Sequence, residues 1–418
     1  MKNLSWKLLK LFLLLSLAIF FKGCGDTSNQ PSSNREAKIV LWHTFTPSET
    51  ETLNLILKSF SEKFPRIKVS VEAIPFAQAR SKFEQAVKSG IAPDIFRSDR
   101  FWTLKFAKNG LLEPLEDSFK TEIEDMVGIA KTVVTQDGKI WGVPHSMDCL
   151  ALFYNKKHFS EKGLSPPVDF DAFRETAKTL TRSDAGRFGF FMNPNGWWFE
   201  PMVFAFGGKF YDPSGNLSIR SEQTLKALHF LIDLKDTTKV MPPVNIRSDP
   251  YDLMMQSFKN GQVSMIFNGP WAIRDLLSAL PFRDPSNLGV AHIPRGPAGC
   301  FSPVGCQSFV IPKGTRNFKD AVELIKFLCA PENLKQFATK NYFLPTRKSL
   351  INDPDIKKDP FLAAFISQIN CTSLSDNSPS RIKLYIVLLE NLKKCLNGDL
   401  APEDALKDIE NSYKKALD

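Results

Sequence analysis

Ala37-Lys-Ile-Val-Leu-Trp42, Thr46-Pro-Ser-Glu49 and Ile67-Lys-Val-Ser-Val71 lie in one continuous stretch, and reading them together decides the fold class. The first is a short apolar run with β-branched residues, which reads as a buried strand. The second supplies a helix N-cap (Thr46), a proline at the first helical position and a glutamate at the third. Leu53, Ile56, Leu57, Phe60 and Phe64 then recur at the spacing of one apolar helix face, and Pro65 ends it. The third alternates as a strand. Strand, helix, strand is a βαβ unit, and it predicts a parallel sheet wrapped by helices.

Outward from this unit the same alternation continues. Helical faces recur at 170–180, 225–234, 318–328 and 384–396; strand-like runs appear at 151–154, 263–267, 289–293 and 309–311. Proline and glycine punctuate the joints, as at Pro93, Pro144, Pro294 and Pro345. No internal repeat is present. A length of 418 residues is long for a single core and suggests two domains.

The formal charge of +9 first invites a nucleic-acid or anionic-surface reading. Lys2, Lys7, Lys10 and Lys22 carry four of those charges within an acid-free N-terminal stretch. Elsewhere basic and acidic residues are interspersed, as on a solvated mixed surface, so no nucleic-acid partner is expected. The N-terminus has export logic: a basic segment, then an apolar run at 11–21, too short for the ~20 residues of a spanning helix. Gly23-Cys24 and a polar stretch follow. Residues 1–23 read as a signal peptide and 24–36 as a tether. The pattern resembles a bacterial lipoprotein signal, which implies lipidation at Cys24 and an outward-facing, membrane-anchored protein. Lys22 departs from that pattern, so ordinary cleavage or an uncleaved anchor stays open.

Ten segments, in order, resemble the family 1 extracellular solute-binding proteins, the maltodextrin-binding group and its relatives. Among them are Ala92-Pro-Asp-Ile-Phe-Arg-Ser-Asp99-Arg100-Phe101, Asp137-Gly-Lys-Ile-Trp-Gly-Val-Pro144 and Leu150-Ala-Leu-Phe-Tyr-Asn-Lys156. Met265-Ile-Phe-Asn-Gly-Pro-Trp271, Leu344-Pro-Thr-Arg-Lys-Ser349 and Asn397-Gly-Asp-Leu-Ala-Pro-Glu-Asp-Ala-Leu406 carry it to the C-terminus. The resemblance implies an α/β, periplasmic-binding-protein-like (type II) fold: two α/β lobes, a ligand cleft and a hinge crossed more than once. By matching positions, 37–146 plus 297–343 form the first lobe, and 147–296 plus 344–418 the second with the hinge helices. It further implies a monomer that binds a carbohydrate by lobe closure and presents it to the permease subunits of an ABC importer, with no cofactor.

Sugars offer flat C–H faces and rings of hydroxyls, so a binding site stacks aromatics on the faces and gives carboxylate, arginine or amide partners to the hydroxyls. Asp99-Arg100 follows a buried strand at its C-terminal edge, where open α/β sheets place ligands; the resemblance makes this pair a hydroxyl grip. Trp271, after the Gly269-Pro270 turn, and Trp197 are the stacking candidates, with Trp198 and Glu200 beside them. Asp148 matches a family carboxylate on the segment crossing to the second lobe. Trp42 is a candidate wall residue. Tyr385 stands near a third stacking position, where Leu384 is the competing assignment. The acidic and basic pair that maltodextrin binders carry after the first strand is replaced by Phe45-Thr46-Pro47, which leaves another glycan or glycerol-3-phosphate open; Arg97, Arg100 and Arg381 are the phosphate-binding candidates.

Beyond Cys24 stand six cysteines. Cys300 and Cys306 bracket a short loop and are the candidate disulfide for an oxidising compartment. Their spacing is not that of a zinc ribbon and no histidine stands near them, so no metal is expected. No Gly-x-Ser-x-Gly elbow, phosphate loop or His-x-x-x-His pair is present. A glycosidase needs only two carboxylates and is the enzyme alternative; a protein-binding lipoprotein scaffold is the third class.

Overall fold

A computed structural model describes residues 36–243, 250–373 and 380–417; the leader, Cys24 and most of the tether lie outside the described residues. The opening βαβ unit forms as its sequence dictates. β1 (Ala37–His43) pairs in parallel with β2 (Ile67–Ala73) and with β3 (Ile95–Asp99). The helix Pro47–Lys63 between β1 and β2 starts in a full capping box: Glu49 N donates to Thr46 Oγ1, and Thr46 N to Glu49 Oε2 at 2.8 Å. Its buried face is Leu53, Ile56 and Phe60, each worth about 1.5–3 kcal/mol of transfer free energy when fully enclosed.

A small hairpin of β4 (Thr135–Gln136) and β5 (Lys139–Ile140) leads into β6 (Val143–Cys149). The chain passes through Leu150 directly into β7 (Ala151–Asn155). β8 (Phe188–Phe191), β9 (Val263–Asn268), β10 (Leu288–Ala291), β11 (Ser302–Val310) and β12 (Thr372–Ser373) complete the set. One sheet has the order β12-β11-β3-β1-β2, with β6 also on β11; the other is β10-β7-β9-β8. Each sheet anchors its own lobe of a mixed α/β protein.

The expectation of parallel pairing holds for β1, β2 and β3, for β8 with β9 and for β11 with β12, and needs correction at β7 and β11. β7 is antiparallel to both β9 and β10, and β11 is antiparallel to both β3 and β6. β7 follows β6 with only Leu150 between and carries the chain from the first sheet into the second, and β11 returns to the first sheet in a direction opposite to β3. All nine residues of β11 are buried. The seam is held by Ser302, whose hydroxyl takes Leu150 N at 2.8 Å and donates to Leu150 O at 2.9 Å.

Most of the phenylalanines are core residues. Phe45, Phe337 and Phe343 stack nearly parallel, with ring centroids 5.2–6.2 Å apart, beneath the Arg97 guanidinium. The helix Arg381–Asn397 packs on the helices Pro402–Leu417 and Gly196–Ala205, and Ile382 reaches the first-lobe cluster of Phe96, Trp102 and Val310.

Candidate functional site

Gly305 and Gln307 lie two apart on β11, so both look to one face of the sheet. Gly305 stands opposite Asp148 on β6, and Gln307 opposite Asp99 on β3. A Cβ at 305 would come 1.9 Å from Asp148 Oδ1, so only glycine lets that carboxyl lie over the strand. Asp99 caps the following helix, accepting from Phe101 N at 2.9 Å, while its other oxygen takes Gln307 Nε2 at 3.3 Å. Gln307 Oε1 is buried with no hydrogen-bond partner among the described residues.

Two carboxyls on one face repel. Burial pushes Asp99 above the usual carboxylate range. Burial, and then the Asp99 charge, push Asp148 up to about 7, with Arg97 and Arg100 pulling the other way. Arg100 is fully enclosed: it donates to Val304 O at 2.7 Å and lies 4.3 Å from the Phe101 ring. Arg97 is held by Thr44 Oγ1 (2.7 Å) and His145 Nε2 (2.9 Å). Burial, then the Arg97 charge, hold His145 far below its ordinary value, so it stays neutral and accepts that bond.

The facing group is aromatic. Asn195 caps the helix Gly196–Ala205 and presents Trp197 and Trp198 on its first turn. Trp198 donates to Phe267 O at 2.8 Å and meets Trp271 edge-on at 6.4 Å. Trp271 follows β9 and Gly269, donating to the Tyr251 hydroxyl at 3.0 Å. A Cβ at 269 would fall 1.9 Å from the Trp271 ring, so this glycine lets the indole fold back over the turn. The three tryptophans are all half-buried.

Tyr385 joins the two groups. Its ring meets Trp197 at 6.4 Å and Phe101 at 6.0 Å, both edge-on, and its hydroxyl donates to Glu200 Oε2 at 2.7 Å. Glu200 pairs with Arg381 at 3.6 Å, both side chains 2% exposed. Leu384, the competing assignment, is wholly buried in the core. Contacts through Phe101 and Tyr385 thus connect the strand end that bears Asp99 and Arg100 with Glu200, Trp197, Trp198 and Trp271. Trp42 is elsewhere: it is 8% exposed in the cluster of Phe83, Phe96 and Trp102, with Lys82 Nζ 4.6 Å over its ring. Gln307 and Tyr251 escaped the sequence reading: Gln307 meets Asp99 through strand pairing, and Tyr251, on the helix Pro250–Lys259, meets Trp271 20 residues away.

The Cys300–Cys306 pairing is corrected. Both are free thiols. Cys306 is buried within β11 beside Ser308, whereas Cys300 lies beyond the strand's start, beside Gln368. An extended strand rises about 3.3 Å per residue, too far for sulfurs six positions apart to bond. The reading that no histidine stands near Cys300 fails too: His292 lies within 4.8 Å of its sulfur.

Two sheet-bearing lobes are the architecture of a solute-binding protein of the periplasmic type. The family of bacterial extracellular solute-binding proteins matches residues 56–364, and the chain belongs to it. It is a binding protein rather than an enzyme, and an exported one. The maltotriose-binding protein of Pyrococcus abyssi is 25% identical over 351 residues, covering 82% of this chain and 74% of that protein. The galactooligosaccharide-binding protein of Bacillus subtilis is 25% identical across 96% of this chain and 94% of its own length. Among solved structures, the GacH receptor of Streptomyces glaucescens, known unliganded and with acarbose, superposes with a TM-score of 0.86 at 27% identity, covering 91% of this chain and 98% of that one. The Thermus thermophilus maltotriose-binding protein gives 0.79 at 27%, over 91% and 100%. Among the described residues no helix is long and apolar enough to cross a membrane.

Proposed function

We propose that this protein captures an oligosaccharide between its lobes and delivers it to the permease subunits of an ABC importer, as a monomer anchored through lipidated Cys24. The carrying observation is the set of half-buried Trp197, Trp198 and Trp271, linked through Tyr385 and Phe101 to the strand end that bears Asp99. Indoles take sugar C–H faces; carboxyls and the unpartnered Gln307 Oε1 accept from hydroxyls. The relatives' named ligands, maltotriose and galactooligosaccharide, fit the same chemistry. Lobe 1 (37–146 plus 297–343) and lobe 2 (147–296 plus 344–418) would close about β6, β11 and the C-terminal helices.

A glycerol-3-phosphate ligand is less well served. Arg97 is engaged by Thr44 and His145, Arg100 by Val304 O and Arg381 by Glu200. Asp99, Asp148 and Glu200 stand among these guanidiniums, so a dianion meets carboxyls as well as cations. Titration of tryptophan fluorescence with maltotriose, galactooligosaccharides and glycerol-3-phosphate tests the reading. One of the sugars is expected to change the emission and to stabilise the fold by ~2.7 kcal/mol at a hundredfold excess over Kd. A response to glycerol-3-phosphate alone would overturn the sugar assignment.

A further inference from the structure

We propose that His292, Cys300 and Cys371 form a binding site for a thiophilic d10 cation of the zinc(II) and cadmium(II) class. Their ligand atoms all lie within 4.8 Å of one another. A tetrahedral zinc with Zn–S about 2.3 Å and Zn–N about 2.0–2.1 Å spaces its ligand atoms by roughly 3.5–3.8 Å. Small side-chain rotations close that difference, and exposed His292 leaves the fourth position to water.

Backbone pairing brings the three together from distant parts of the chain. His292 follows β10, Cys300 precedes β11 and Cys371 precedes β12. β11 and β12 pair in parallel at Ser302↔Thr372, and Ser302 N donates to Cys371 O at 3.1 Å. The helix Pro360–Ile369 supplies outer support. Fully buried Gln368 accepts from Ile293 N at 2.7 Å and directs its amide N–H at Cys300 Sγ, 3.6 Å away. His292 Nε2 lies 2.9 Å from Ser367 Oγ. A donor to a ligating sulfur and a hydroxyl bonded to the imidazole are the outer contacts that orient metal ligands.

A disulfide would use only the two sulfurs; a cation uses all three groups. Binding releases the thiol protons to solvent and leaves the oxidation state unchanged. The site is independent of the sugar reading, because it shares no residue with the aromatic and acidic lining.

The test is titration of the reduced full-length chain with cadmium(II), followed by the thiolate-to-cadmium charge-transfer absorption. The band is expected to saturate at one equivalent, to vanish in both Cys300→Ser and Cys371→Ser, and to require about tenfold or more cadmium in His292→Ala. X-ray absorption of the zinc-loaded wild type, which depends on no variant, is expected to show two sulfurs and an imidazole nitrogen. No band, a band that survives Cys371→Ser, a different donor set, or a Cys300–Cys371 disulfide in the protein as isolated from its oxidising compartment would each overturn the assignment.

Discussion

The two sides of the lining are built on opposite principles. On the first-lobe side the polar groups are already engaged by protein: Asp99 by Phe101 N and Gln307, Arg97 by Thr44 and His145, Arg100 by Val304 O. On the aromatic side Trp198 donates its indole N–H to Phe267 O and Trp271 to the Tyr251 hydroxyl, and all three indole residues are half-buried. The arginines of the charged side are part of the fold's interior, whereas the aromatic side is a half-buried platform. Variants on the first side should therefore register mainly in stability, and variants on the second mainly in ligand affinity.

Arg100 gives the largest expected effect and the sharpest test of this contrast. Its side chain is buried among Asp99, Val304 O and Phe101. Removing one partner of a buried charged set strands the others, so Arg100→Ala is expected to destabilise by about 3–5 kcal/mol. Urea unfolding measures it; a loss below about 1 kcal/mol would place Arg100 on the binding side instead.

Trp271→Ala is the counterpart. Truncating a central aromatic typically costs about 2–4 kcal/mol of binding, with a smaller change in unfolding midpoint because the ring is not enclosed. Calorimetry with the responding sugar reads the affinity. Gly269→Ala should mimic the loss through the 1.9 Å contact with the indole. Tyr385→Phe comes next: it deletes the 2.7 Å bond to Glu200 while keeping the ring between Trp197 and Phe101. A hydrogen bond to a charged group is worth about 1.5–3 kcal/mol. The loss is expected in stability, with sugar affinity nearly unchanged; the reverse split would move Tyr385 into direct ligand contact.

What the sequence made legible follows from range. The capping box at Thr46 and Glu49, the Gly269 turn and the apolar faces at 170–180 and 318–328 are local devices, and they form where the periodicity places them. The acids and tryptophans of the lining were recognisable as residue types within family-like segments. The orientation of β11 was not, because an all-buried strand carries no alternation to reveal its neighbours. Gln307 as the partner of Asp99 and Cys300 beside Cys371 depend on that strand's pairing. Proximity in sequence suggested Cys306, and a contact 71 residues away left no local trace.

Asp148→Asn is the subtlest variant and the one that reads the charged side from within. Folding raises the Asp148 pKa from 3.8 to about 7, through burial first and Asp99 second. Between those values the folded chain holds a proton that the unfolded chain has released, so stability from this group falls as pH rises from about 4 to about 7 and is flat beyond. The asparagine variant carries no such proton, and its unfolding free energy plotted against pH should lose that downward slope. The carboxyl is half-buried and open to solvent on one side, so screening reduces the amplitude below what full enclosure would produce. If wild type and variant trace parallel curves from pH 4 to 7, Asp148 is ionised throughout and Asp99 does not share its face closely enough to repel it. The charged side would then resemble an ordinary solvated surface, and the contrast with the aromatic side would reduce to composition alone.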